Sequence, residues 1–157
     1  MHGRNRQNHR GHRWPHWQLG RLGSLPVKLL LDTHIWLWSA LEPQRLTRHV
    51  DKALADPANE LWLSPVSVGE LIVLLRKGRL QLPHDLVNWV AKTMQDLQLT
   101  EAPLTVEVAL AISSINFPHG DPADHFLAAT AKVFDLTLVT ADEHLTELSG
   151  IHVLPNR

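Results

Sequence analysis

The chain of 157 residues contains no cysteine, which excludes a disulfide scaffold, CxxC redox chemistry and cysteine-based zinc sites and makes the cytoplasm the expected compartment. No apolar run approaches the roughly 20 residues needed to span a bilayer. The arginine-rich start has no apolar segment of the kind that directs secretion, so no membrane association is expected. Neither a GxxxxGK[ST] phosphate loop nor a dinucleotide-binding GxGxxG occurs, so nucleotide-fuelled and redox enzymes are poorly supported. HExxH spacing is absent as well. His34, His119, His125 and His144 are therefore read as surface or packing residues rather than as a zinc site or a general base. The sequence has no internal repeat.

What remains is an ordinary globular composition, 44% hydrophobic and 20% charged, on a chain long enough to bury the core of one domain. The net charge of -1 conceals an asymmetry. Five of the fifteen basic residues and none of the sixteen acids fall in residues 1–26, so the rest of the chain carries ten against sixteen, a formal charge of -6. An acidic body repels a polyphosphate, and any surface that binds nucleic acid has to be local. Residues 1–26 mix Arg, His, Gly and Asn around Trp14 and Trp17 without helical or strand period. They are expected to be a disordered basic leader, with an RNA-binding arm as the alternative. A GTG start codon read internally is written as valine, so translation is expected to begin at Val27, with residues 27–157 as the folded domain.

From Val27 the pattern alternates strand and helix. Apolar Val27 to Leu31 predicts a buried strand, followed by a helix from Thr33 to about Leu41. Thr47 caps a helix over His49 to Ala55, and Glu60 to Leu63 is the second strand. Ser64-Pro65 opens a helix with Val68, Leu71, Ile72 and Leu75 on one face, ending at Arg76-Lys77-Gly78. A helix over Asp85 to Leu97, a strand over Gln98 to Ala102 and a Thr105-capped helix over Val106 to Ile115 follow. After a loop at 116–120, Asp121 opens a helix to Phe134. Leu136 to Thr140 is the most strand-like run, and a short helix over Glu143 to Leu148 and a strand over Ile151 to Leu154 complete the alternation. This order predicts an α/β fold with a parallel sheet of about five strands.

In such a sheet, sites form just beyond the carboxyl ends of the strands. Asp32 and Asp142 follow two of those ends, Asp124 stands in the first turn of a helix, and Glu70 lies within a mostly apolar one. Each aspartate has a simpler reading as a helix cap or a first-turn acid; Asp121-Pro122-Ala123-Asp124 and Thr140-Ala141-Asp142-Glu143 both have the shape of a capped start. The combination is more informative than any member. Several carboxylates at one sheet edge repel one another, a conflict that a divalent cation resolves, and hard carboxylate oxygens suit Mg²⁺ or Mn²⁺.

Four segments, LLLDTHIWLW (29–38), SVGEL (67–71), DPADHFLAATA (121–131) and LTLVTADEHL (136–145), in this order and spacing, resemble the PIN-domain family, and within it the VapC toxins. The resemblance spans essentially residues 27 to 155. It implies a PIN-like α/β/α sandwich with a central parallel sheet, endoribonuclease activity, and control by a cognate VapB-like antitoxin. Carried over by position, the family's metal-binding acids fall on Asp32, Glu70, Asp124 and Asp142, with Thr140 beside them. Asp121 either joins the metal through water or only caps its helix. Family members often have Trp where this chain has Gly69 and Arg where it has His125.

The expected mechanism is hydrolysis by a water activated at Mg²⁺ or Mn²⁺ held by Asp32, Glu70 and Asp124, with Asp142 helping to recruit a second ion. It leaves a 5′-phosphate and a 3′-hydroxyl. Arg76, Lys77 and Arg79 form a candidate RNA-binding patch, with helix C-capping as the alternative. Apolar Ile35, Trp36, Leu37 and Trp38, with Trp62 and Trp89, exceed one amphipathic face. Most are assigned to the core and the remainder to a homodimer face or a groove for an antitoxin helix. The competing functions are a catalytically silent PIN-fold binding module and a receiver-like phosphoacceptor domain, the latter disfavoured by the lone Asp32 and by the lack of a lysine after Lys132.

Overall fold

The computed structural model describes residues 25–118 and 120–157. The expectation for the leader falls almost wholly, and His119 wholly, outside the described residues. Five strands form one sheet: β1 (Lys28–Leu31), β2 (Glu60–Leu63), β3 (Leu99–Glu101), β4 (Thr137–Thr140) and β5 (His152–Pro155). All pairings are parallel and the spatial order is β3-β2-β1-β4-β5. The chain starts in the middle, winds outward to β3, then returns to β4 on the other side of β1. Connections therefore diverge between β1 and β4, where their carboxyl ends open a crevice. A receiver-like sheet has the order 2-1-3-4-5, so that alternative is set aside.

The helices are α1 (Thr33–Leu41), α2 (Arg48–Ala55), α3 (Pro65–Arg76), α4 (Leu86–Asp96), α5 (Val106–Ala111), α6 (Pro122–Phe134) and α7 (Glu143–Thr146). Short 3₁₀ turns cover Pro43–Arg45 and Ile112–Ser114. Alternation along the central strands divides the core between two faces of the sheet. Leu29 and Leu31 pack with Ile35 and Trp36 of α1, Val50 of α2, Leu71 of α3 and Trp89 of α4. Leu30 points the other way, to Leu127, Ala128 and Ala131 of α6. Each fully buried leucine contributes about 1.5–3 kcal/mol. The result is the expected α/β/α sandwich. Ile35, Trp36, Leu37 and Trp89 are core as assigned, whereas Trp38 and Trp62 are half-buried.

The last short helix ends at Thr146 and the last strand runs His152–Pro155, each shifted slightly from expectation; two further differences have local reasons. The helix expected over Val106 to Ile115 stays α-helical only to Ala111 and tightens to 3₁₀. There Ser113 and Ser114 hydroxyls donate back to the Leu110 and Ala111 carbonyls at 2.7 and 2.8 Å, the local competition that makes serine a poor helix former. The third strand begins at Leu99 because Gln98 sits at φ 51°, outside the extended region. Among the described residues no helix is long and apolar enough to cross a membrane.

Candidate metal centre

The acids converge at the crevice predicted by the topology. A cavity of about 420 Å³ is lined by Asp32, Glu70, Asp121, Asp124 and Asp142, with His34, Trp38, Arg45 and Ala141 completing the wall. Asp32 stands at the end of β1, where its backbone N–H donates to the Val139 carbonyl of β4 at 2.9 Å. Its carboxylate is buried and held at both oxygens: Oδ1 accepts from the Thr33 N–H at 2.7 Å and Oδ2 from the Thr140 hydroxyl at 2.6 Å. Thr140 is itself fully buried and accepts from the Asp142 N–H at 3.0 Å, which ties the two strand ends together.

Glu70 enters from α3. The Thr33 hydroxyl donates to its Oε1 and also shares a hydrogen bond of 2.9 Å with Ser67 Oγ, one helical turn before Glu70. Thr33 and Ser67 thus orient this carboxylate, a role that sequence reasoning did not assign to them, although both lie within the family-like segments. Asp121, Pro122 and Asp124 occupy the N-cap, first and third positions of α6, and Asp121 accepts from the Ala123 N–H at 3.1 Å. Asp142 caps α7 through the His144 N–H at 2.8 Å. For Asp32, Asp121 and Asp142 the capping reading is therefore correct, and the same three side chains also line the cavity. The two readings are compatible because each capping bond uses one lone pair of one oxygen, and a carboxylate keeps further lone pairs, even at Asp32 where Thr140 takes one on the second oxygen.

The electrostatic tension is legible in the titration of these groups. Burial pushes the Asp32 carboxyl above the ordinary range and Asp142 adds to this, while the hydrogen bonds from Thr140 and Thr33 and the nearby His34 oppose it. Burial also raises Glu70, reinforced by Asp32 and Asp121 and opposed by the Thr33 hydroxyl and His34. Asp124 is pushed up to about 7, first by burial and then by the charges of Asp121, Asp32, Asp142 and Glu70. Among the described residues no three acid or imidazole groups stand close enough to grip one ion as they lie. The five carboxylates line the wall of one cavity, where their like charges repel.

Other candidates lie apart. Arg76, Lys77 and Arg79 are exposed at the far end of α3 and do not line the cavity. Gly78 at φ 66°, with the Gly78 N–H bonded to Leu75 and the Arg79 N–H to Leu74, makes this segment a Schellman C-cap. His125 stacks on Phe117 with ring centroids 3.9 Å apart, in keeping with a packing histidine. Arg45 and Trp38 were not singled out as site residues, and nothing in their local pattern marks them.

A family model for the PIN domain matches residues 29–151. Among curated proteins, ribonuclease VapC22 of Mycobacterium tuberculosis is 35% identical over 118 residues, covering 74% of this chain and 88% of that protein. Two solved structures share the fold at low identity. VapBC2 from Rickettsia felis bound to a DNA fragment from their promoter matches with TM-score 0.62 and 14% identity, over 82% of this chain and 98% of that one. DNA-bound VapBC from Salmonella typhimurium matches with TM-score 0.59 and 15% identity, over 83% and 99%. Family match, curated relative and sheet order agree: the chain belongs to the PIN-domain family, among its VapC-type members.

Proposed function

We propose that the chain is a divalent-metal-dependent endoribonuclease and the toxin of a toxin–antitoxin pair. The observation that carries the reading is the ring of five carboxylates at the β1/β4 crevice, one of them raised to about 7, in a chain related to a ribonuclease of the VapC type. The donor set fits Mg²⁺ or Mn²⁺ in kind, since it is made of hard carboxylate oxygens. Asp32, Glu70 and Asp124 would hold the ion, with Asp142 serving a second one and Asp121 acting through water. When bound, such an ion supplies an activated water and neutralises charge developing on the phosphoryl oxygens.

The chain's own residues prepare the site. Thr140 and the Thr33 backbone fix Asp32, and the Thr33 hydroxyl fixes Glu70, so both carboxylates are oriented before any ligand arrives. Arg76, Lys77 and Arg79, exposed and away from the cavity, would meet RNA phosphates farther along the strand. A VapB-like antitoxin is the proposed partner, supported by the VapBC assemblies among the structural matches. Val106 and Leu110, exposed on one face of α5, offer an apolar surface for that partner or for a second copy in a homodimer.

The test is incubation of antitoxin-free protein with labelled RNA: cleavage in Mg²⁺ or Mn²⁺ and none in EDTA supports the reading. No cleavage by folded, metal-supplied protein supports the silent binding module instead. A linked prediction concerns pH. A carboxyl whose pKa is higher folded than unfolded withdraws stability as pH rises, here between the ordinary aspartate value of 3.8 and about 7 for Asp124. Ion binding to the ionised site reverses that loss. The rise in melting temperature on adding Mn²⁺ is therefore expected to be larger near about pH 8 than near about pH 5. An equal rise at both would show that the ion does not compete with these protons.

A further inference from the structure

Among the described residues lining the acidic cavity, Arg45 is the one permanent cation, yet it is not spent on the carboxylates. Its one ion pair among the described residues is with Glu42, at 3.6 Å with both side chains about half exposed, a pair of little energetic weight. The guanidinium instead lies over the Trp38 ring, 4.3 Å from its centroid, and Trp38 is braced in turn by His34, another cavity residue, at 5.8 Å. The backbone of this segment is pinned from the far end of the chain. The Asn156 side chain donates to the Arg45 carbonyl at 3.1 Å and accepts from the Thr47 N–H at 2.7 Å, while its own N–H bonds the Thr140 carbonyl at 2.8 Å. Arg45 is thus indexed to the end of β4, where Thr140 holds Asp32.

We infer that Arg45, held on Trp38 and pinned through Asn156, is a phosphate-binding residue that seats single-stranded RNA at the mouth of the acidic cavity. A planar guanidinium with several N–H donors suits phosphodiester oxygens, and stacking on an indole pre-organises it at low entropic cost. One fixed cation at the cavity edge also resolves how an acidic body accepts RNA there: the strand is caught beside the carboxylates without neutralising them. Arg45 would touch the substrate; Trp38 and Asn156 are positioning residues. The inference takes its ligand from the nuclease reading but is tested without turnover.

The test is fluorescence anisotropy of a short fluorescein-labelled single-stranded RNA, with Ca²⁺ in place of Mg²⁺, across a range of KCl. Arg45→Ala is expected to weaken binding about tenfold and to reduce the slope of log K against log salt by about 0.7. Arg45→Lys should keep the slope and regain only part of the affinity. Trp38→Leu should weaken binding about threefold with the slope unchanged, and Trp38→Phe should restore most of it. Wild-type affinity and slope in Arg45→Ala would overturn the inference, as would failure of the wild-type chain to bind RNA. A wild-type chain that binds through Arg45 but cuts no RNA refutes the nuclease reading and leaves this subsite standing.

Discussion

Asp124→Asn is expected to lower kcat/KM for RNA cleavage by at least about 100-fold, since even residues that only orient a metal ligand are worth 10- to 100-fold. The same substitution should leave the melting temperature unchanged or higher. Asp124 is destabilised where it stands, by burial and by four neighbouring carboxylates, and a neutral amide of the same shape removes that repulsion. Loss of activity together with retained or increased stability separates a functional acid from a structural one, because a carboxylate that merely capped its helix would cost stability when replaced. Asp32→Asn is expected to match the activity loss, with less relief of strain because Thr33 and Thr140 already stabilise its charge. Kinetics of both variants beside thermal melts make the comparison; near-wild-type cleavage by either would remove that residue from the site.

Trp36→Ala should produce the largest stability loss, about 3–5 kcal/mol, the range for emptying a buried aromatic site. Trp36 is fully buried against the first face of the sheet, 5.2 Å from the Trp89 ring, and its indole N–H donates to Thr93 Oγ1 at 3.2 Å. Its loss leaves a cavity between α1 and α4 and removes the donor to Thr93 Oγ1, whose hydroxyl keeps its own bond to the Val90 carbonyl at 3.1 Å. The backbone N–H of residue 36 keeps its bond to the Asp32 carbonyl in the variant, so the expected loss comes from the emptied ring site and not from the first turn of α1. Urea unfolding measures the effect; a cost below about 1 kcal/mol would mean that α1 is not anchored by this ring.

Much of this was readable from the chain because it depends on short-range pattern. The apolar run ending at Leu31 and the strand-like LTLVT placed Asp32 and Thr140 at strand ends, and parallel topology then brought those ends side by side. The sequence could not decide whether an aspartate was a cap or a site residue; the geometry shows Asp32, Asp121 and Asp142 engaged in caps while lining the cavity. The Thr33 contact to Glu70 spans 37 residues and the Asn156 clamp on Arg45 spans 111. No periodicity encodes such pairings, which exist only once α1 packs on α3 and Asn156 packs on the Arg45 turn. The distance between basic residues and cavity was hidden for a related reason: Arg76, Lys77 and Arg79 are conspicuous in sequence but stand exposed at the end of α3 and do not line the cavity, while isolated Arg45 is delivered to it by a 3₁₀ turn.

The central claim is that these carboxylates direct water, not the RNA's own 2′-hydroxyl, onto the phosphodiester. Mapping the ends of RNA fragments made in Mn²⁺ tests it most directly. The account predicts 5′-phosphates and 3′-hydroxyls, and continued cutting when the nucleotide at the scissile position lacks its 2′-hydroxyl. Cyclic 2′,3′-phosphate ends, or cleavage that persists in EDTA, would contradict it.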